Sequence, residues 1–203
     1  MPAFVRPARI IILRHAEKQD HSSLCPMGVQ RAQALAKQYL GRNAQPSLFG
    51  QDEQPAAVLA IIPHTKETIT PTAQSWGLGV DAYSIPPYAD EDAATQAAAH
   101  DVLTDTRYVG KIVVMTWEHK HIAKHHLQIT LSKLLGLDTI AGVPKSWSDS
   151  NYDFFWIVDF AQGSSVPTGF RMIKQVFAAP FANLPSNDWD VPEPLHEQAG
   201  CLP

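Results

Sequence analysis

The sequence predicts a single α/β domain with a mostly parallel central sheet flanked by helices. Short aliphatic runs at Ile10 to Leu13, Ala56 to Ile62 and Lys111 to Trp117 are too brief for helices and read as strands buried on both faces. Between them stand segments whose apolar residues recur at helical spacing, which is the crossover a parallel strand pair requires. At 203 residues the chain is long enough to bury one real core, and it contains no internal repeat and no linker. The domain is expected over residues 1–178. From Ala179 onward proline, asparagine and aspartate predominate, so 179–203 reads as a C-terminal extension that is either docked or loose.

Each element has a local reason. Four aliphatic residues, Ile10 to Leu13, end abruptly on Arg14 and His15, and a polar loop runs from Gln19 to Leu24. Pro26 suits the first turn of a helix whose stripe is Val29, Ala32, Leu35, Ala36, Tyr39 and Leu40, closed by Gly41. Asn43 to Pro55 is a polar loop. After the strand Ala56 to Ile62 and its stop at Pro63, a helix is expected from about Thr65 to Trp76, kinked at Pro71 and ended by Gly77. Val80 to Ile85 reads as a short strand and Asp90 to Leu103 as a helix, with Asp90, Glu91 and Asp92 at the end where carboxylates complement the dipole. The strand Lys111 to Trp117 ends at Glu118 and His119, and Leu127, Leu131, Leu134 and Leu135 form the stripe of one further helix stopped by Gly136. Val143 to Asn151 is a loop, Tyr152 to Phe160 an aromatic strand, and Arg171 to Phe177 its antiparallel partner.

The composition excludes several functions. A net charge of −4 with 18% charged residues leaves no basic footprint for nucleic acid or a membrane surface. Ile10 to Leu13 is far too short for a signal core or a membrane span. Cys25 and Cys201 show no metal spacing and fit a reducing compartment, so a soluble cytoplasmic protein is expected. Oligomeric state leaves no mark on the sequence.

Two buried strands end alike, at Arg14-His15 and at Glu118-His119. Neighbouring parallel strands converge on one cleft beyond their carboxyl ends, so His15 and His119 are expected to face each other there. An imidazole attacks phosphorus when its other nitrogen is held, and a guanidinium neutralises the transferring oxygens. No glycine-rich phosphate loop and no two-carboxylate metal motif competes, so neither cofactor nor metal is expected. His121 and His125 stand at i and i+4, a zinc-compatible spacing, but lack the intervening glutamate and a third ligand and read as surface histidines. Trp147, Phe155 and Trp156 read as core. Arg31 reads as a structural surface residue, and Glu17 as a partner of Lys18 or Arg31 in a solvated pair.

These motifs, in this order, resemble the histidine phosphatase superfamily (phosphoglycerate mutase-like, histidine acid phosphatase-like). Leu13-Arg14-His15-Ala16-Glu17-Lys18 resembles its Arg-His-Gly/Ala motif, and Leu24 to Ala32 its Leu-Thr-Pro-x-Gly start of the first helix. Thr68 to Ala73 resembles the Thr-Ile-x-Pro-Leu-Ala of the second helix, Val114 to Ile122 a Trp-Glu-His-Lys variant of the second histidine motif, and Asn151 to Val158 its Phe-Asp-x-x-Trp strand. The resemblance implies that His15 becomes phosphorylated, that Arg14 binds the phosphate, and that His119 is the second pocket histidine, in a transfer to water or another hydroxyl without a metal. Cys25 takes the place of the usual helix-capping hydroxyl, and a thiol caps poorly.

The sequence departs from this pattern where the family places a second phosphate-binding arginine, four residues before the helix threonine. That position is His64, and the usual serine before it is Ala60. An arginine fork is always charged and grips two oxygens, whereas an imidazole donates once and carries charge only when protonated. The loss is worth roughly 1.5–3 kcal/mol of dianion affinity. Lys66 is the nearby candidate to substitute as a point charge, although out of register. The acid that one branch carries after its second histidine is Lys120 here, so Glu118 is the first candidate proton donor, with Asp90 and Glu91 behind it. Strand alternation would turn Glu118 away from the side of His119. The expected function is metal-independent phosphoryl transfer on a small phosphorylated molecule, with a degenerate member that binds an anionic ligand without turnover as the alternative.

Overall fold

The computed structural model describes residues 6–83, 90–191 and 200–202. Its strands are β1 (Arg9–Arg14), β2 (Pro55–Ala60), β3 (Asp81–Ala82), β4 (Ile112–Trp117), β5 (Phe154–Asp159) and β6 (Gly169–Lys174). Its helices are α1 (Pro26–Leu35), α2 (Pro63–Trp76), α3 (Glu91–Thr104), α4 (His119–Ile122) and α5 (Leu131–Leu134), and a π-helical turn, Ala36–Leu40, extends α1. One six-stranded sheet runs in the order β3-β2-β4-β1-β5-β6. The first four of these strands are mutually parallel, while β5 and β6 are antiparallel. The α/β class and the mostly parallel sheet are those expected.

Side chains of β1 divide by strand alternation. Ile10 and Ile12 pack with Trp117, Trp147 and Trp156 on the face covered by α3 and α5, whereas Ile11 and Leu13 pack with Leu35, Ile69 and Phe155 beneath α1 and α2. All four aliphatic residues of β1 are fully buried, each worth about 1.5–3 kcal/mol of transfer free energy. Trp147, Phe155 and Trp156 are core residues, as expected. Gly28 lets α1 lie against the loop after β1: a Cβ there would stand 2.1 Å from the Glu17 carbonyl oxygen. Gly77 ends α2 in the left-handed conformation at φ 70°.

Several expectations need correction. The helix placed on Leu127, Leu131, Leu134 and Leu135 is only α5, because α4 stops at Ile122 and Leu127 lies in the loop between. His121 and His125 therefore do not share a helix face: His121 is buried against Glu91, 2.8 Å away, and His125 is exposed. The strand expected at Val80 to Ile85 is Asp81–Ala82, and Ile85 lies outside the described residues. Arg31 is not on the surface but fully buried, and its pair with Glu17 is not solvated. Its Nε and Nη2 grip Glu17 at 2.7–3.0 Å, and its Nη1 reaches Asp153 Oδ1 at 2.8 Å. The second turn of α1 faces inward at Arg31, which places the guanidinium in a buried ion network.

The cysteines are also paired. Cys25 and Cys201, separated by 176 positions in sequence, form a disulfide with their Cα atoms 5.7 Å apart. Disulfides persist in oxidising surroundings, so this bond runs against the reducing compartment expected from cysteine spacing. Cys25 makes no side-chain capping hydrogen bond at α1, and its sulfur is committed to the disulfide. Beyond β6, Phe177, Phe181 and Leu184 enter the α1/α2 core, and Leu202 donates its N–H to the Lys18 carbonyl at 2.7 Å. Among the described residues, no helix is long and apolar enough to cross a membrane.

Candidate active site

The sheet brings the chemistry-bearing residues to one end. Arg14 is in register with Trp117, and the His15 N–H donates to the Trp117 carbonyl at 3.2 Å, so the residues that follow β1 and β4 emerge side by side. Because β5 is antiparallel and Phe155 pairs with Leu13, the start of β5 and the loop before it lie at that same end. The first turn of α2 supplies His64. Thr68 Oγ1 donates to the His64 carbonyl at 2.7 Å and accepts from the Ala16 N–H at 2.8 Å, which fixes α2 against the residue after His15.

Arg14 is held on every side. Nη1 donates to the carbonyls of Ser148 and Asn151 at 3.4 Å each and to that of Asp149, and Nη2 donates to the Tyr152 hydroxyl at 3.1 Å. Its guanidinium carbon sits 3.8 Å from the Tyr152 ring centroid. Nε stands 3.4 Å from His15 Nε2. On the other side of that ring, Nδ1 lies 2.6 Å from the Ala16 carbonyl. A carbonyl only accepts, so the proton is on Nδ1 and the Nε2 lone pair faces the pocket. Burial depresses the His15 pKa, with Glu118 opposing and Arg14 adding to the effect.

Glu118 is at the centre. Its Oε1 is 3.4 Å from His15 Nε2 and 3.9 Å from His64 Nδ1, and its Oε2 is 3.7 Å from His119 Nδ1. Burial pushes this carboxyl upward, but His15, Arg14 and Lys18 outweigh it, and the pKa lies well below the usual carboxylate range. His64 and His119 are both depressed, foremost by burial. His64 Nε2 bonds the Asp20 carbonyl at 3.1 Å, and His119 Nε2 bonds Asp149 Oδ1 at 3.1 Å. The groups gathered here can present one imidazole nitrogen as a nucleophile beside a fixed guanidinium, with a carboxylate in reach for proton transfer.

Arg14, His15, His64, Glu118 and His119 are thus gathered in one cluster of contacting side chains. Strand alternation was expected to turn Glu118 away from His119, but both residues lie beyond the end of β4, where the pleat no longer governs direction. Lys66 does not join them: it is exposed, about 200° around α2 from His64. Asp90 caps α3, accepting from the N–H groups of Asp92 and Ala93, while Glu91 pairs with Lys120 at 2.9 Å and with His121. Sequence reasoning missed Lys18, Asp149 and Tyr152. Half-buried Lys18 acts electrostatically on both Glu118 and His64. Its place four residues after Arg14 and the position of Tyr152 just before β5 were readable signals, whereas Asp149 sits in a loop with none.

No protein-family profile and no curated protein matches the sequence. Solved structures do. A mycobacterial glucosyl-3-phosphoglycerate phosphatase superimposes with a TM-score of 0.50 at 13% identity, over 85% of this chain and 100% of that one. An Escherichia coli protein assigned as an alpha-ribazole-5'-P phosphatase gives 0.51 at 13% identity, over 84% and 97%. At this identity the likeness speaks of architecture, and together with the element order and the positions of the two strand-end histidines it establishes that the chain has the fold of the histidine phosphatase superfamily.

Proposed function

We propose that the protein is a phosphatase that acts on a small phosphate ester through a phosphohistidine at His15. The observation that carries this reading is the tautomer of His15: Nδ1–H is committed to the Ala16 carbonyl, so Nε2 offers its lone pair beside the Arg14 guanidinium. In the first step Nε2 bonds to phosphorus as the ester P–O bond breaks, and Arg14, with Lys18, balances the phosphoryl oxygens. In the second, water attacks the phosphohistidine, inorganic phosphate leaves, and Nε2 regains its lone pair. His119 lines the same pocket as a further phosphate ligand, and His64 fills the corner where the resemblance implies an arginine. Neither step requires a metal.

Glu118 takes part in proton transfer. Ionised before substrate arrives, it receives a proton carried in by the monoanionic ester, delivers it to the leaving oxygen, and then accepts one from the attacking water. A phosphate monoester loses its second proton near pH 6, so kcat/KM is expected to fall as pH rises from 5.5 to 8. A profile flat over that interval would remove Glu118 from the scheme. Turnover of p-nitrophenyl phosphate is expected to vanish in His15→Ala, and mixing with substrate is expected to leave an acid-labile phosphate on the intact chain. Undiminished turnover in that variant would overturn the mechanism.

One observation favours a second reading, a member that binds an anionic ligand without turnover. Glu118 stands on the attacking side of His15, which itself has no exposed surface, and position 64 lacks the always-charged fork. Both features weaken attraction for a dianion. Stabilisation of the fold by vanadate with no phosphohistidine after substrate mixing would support that reading over the first.

A further inference from the structure

Three imidazoles in the pocket are arranged alike. His15 commits its Nδ1–H to the Ala16 carbonyl at 2.6 Å, His64 its Nε2–H to the Asp20 carbonyl at 3.1 Å, and His119 its Nε2–H to Asp149 at 3.1 Å. The nitrogens that remain, His15 Nε2, His64 Nδ1 and His119 Nδ1, are therefore lone pairs, and each is turned toward the Glu118 carboxylate, at 3.4, 3.9 and 3.7 Å. A carboxylate and a neutral imidazole nitrogen are both acceptors; His15 Nε2 has a donor in Arg14 Nε at 3.4 Å, whereas His64 Nδ1 and His119 Nδ1 face the carboxylate without the electrophile that would join them to it. The two Nδ1 atoms are buried with no hydrogen-bond partner, and His64 is only 5% exposed. An imidazole whose far N–H is held by a carbonyl or carboxylate is the usual arrangement of a histidine bound to a metal.

We propose that this pocket is a binding site for a divalent cation of the zinc class, with His15 Nε2, His119 Nδ1, Glu118 and His64 Nδ1 as its ligands. Donor atoms of His15, Glu118 and His119 all lie within 4.8 Å of one another. Tetrahedral zinc with bonds of about 2.0–2.1 Å holds its ligands about 3.3–3.4 Å apart, so His15, Glu118 and His119 close with shifts of at most about 1.5 Å, and His64, whose Nδ1 is 3.9 Å from Glu118 Oε1, moves in from outside that group as the fourth ligand. A set of imidazoles and one carboxylate selects zinc or cobalt over magnesium or calcium, which take oxygen ligands. Arg14 and Lys18 are the opposing charges, and the Nε contact of Arg14 with His15 must be given up. Arg14 retains its other partners when it does so. The atom that attacks phosphorus becomes a metal ligand, so a loaded pocket does not form phosphohistidine: the cation is an inhibitor that competes with phosphate esters. The site stands whether or not the protein turns over phosphate.

Titration of the untagged full chain with cobalt(II) chloride tests this by visible absorption, without reference to activity. One equivalent per chain is expected to give the intense bands of a four-coordinate ion, and zinc chloride is expected to displace it. Glu118→Gln and His64→Ala, each checked for folding by thermal melting, are expected to weaken cobalt at least tenfold. His125→Ala combined with His126→Ala, which removes two exposed imidazoles, is expected to leave the titration unchanged. No stoichiometric cobalt spectrum, or one that survives both pocket substitutions or is lost with the surface pair, overturns the proposal.

Discussion

Two buried polar clusters flank the end of β1, and they are satisfied to very different degrees. In one, Arg31 closes on Glu17 and Asp153 with every contact at 2.7–3.0 Å, and its remaining N–H groups reach Gln175 Oε1 at 3.1 Å and the Pro185 carbonyl at 3.3 Å. In the other, three imidazole nitrogens stand 3.4–3.9 Å from one carboxylate, and two of them, His64 Nδ1 and His119 Nδ1, have no hydrogen-bond partner. Arg31, Glu17 and Asp153 are more deeply buried than His64, Glu118 and His119, so depth of burial alone does not mark a functional site. The tight cluster joins β1, α1, β5 and the chain after β6, and each of its carboxylates is paired with the Arg31 guanidinium. The loose one keeps its lone pairs and its charge available, which is where strongly shifted titratable groups signal chemistry.

The sharpest way to break this contrast is to remove one partner from each cluster. Arg31→Ala leaves two carboxylates buried without a counter-ion and is expected to cost about 3–5 kcal/mol, read as a lowered midpoint in denaturant. His64→Ala is expected to cost about 1 kcal/mol, the ordinary value for a substitution that removes one hydrogen bond. Equal losses would show that the pocket, too, is built for stability. Between these lies the Cys25–Cys201 bond, which ties the chain end to the start of α1. Cys201→Ser is expected to lower stability by about 2–4 kcal/mol in non-reducing conditions and by nothing when the parent is also reduced.

Sequence alone reached the loose cluster better than the tight one. Arg14, His15 and His119 were legible because aliphatic runs stop on them, and His64 because a helix threonine fixes its register. Glu118 was legible as a residue but not in its orientation, which is set by the chain leaving β4. Arg31 and Glu17 were misplaced because charge on an amphipathic stripe is ordinarily solvated, and only the antiparallel return of β5 puts Asp153 beside them. The disulfide was invisible for a similar reason: two cysteines 176 positions apart carry no spacing signal. Leu127 was placed in the helix that is only α5, because leucine periodicity does not reveal where a loop interrupts it.

Acid sharpens the contrast by a smaller amount. His15, His64 and His119 all have folded-state pKa values below the ordinary imidazole value, so near pH 6 the unfolded chain binds more protons than the native one. Stability is therefore full above the unfolded-state value of about 6.5 and falls as pH drops below it. A decline of about 1–3 kcal/mol between pH 7.5 and 5.5 is expected in denaturant midpoints. Glu17 in the tight cluster contributes none of it, since its pKa is lowered from a carboxylate value already below that interval, and Asp153, whose pKa burial raises, acts with the opposite sign. A parent and a His64→Ala variant with the same acid slope would exclude His64 from the effect.

Restoring an arginine at position 64 makes the finest distinction, because it acts in opposite directions on the two ligands the pocket has been assigned. His64→Arg supplies a permanently charged fork from the first turn of α2, facing the same carboxylate that His64 Nδ1 now approaches at 3.9 Å. For a phosphate dianion this adds a charge-assisted contact, offset in part because the guanidinium must first leave Glu118. The net expectation is a KM for p-nitrophenyl phosphate lowered about tenfold, at the low end of what one such contact is worth. For cobalt(II) the same change deletes a lone pair and places a like charge beside the ion, so binding is expected to weaken by at least the same factor. A pocket that is merely a damaged phosphate site would respond only in the first measurement. A pocket tuned for the cation responds in both, and its histidine is then a replacement with a consequence of its own.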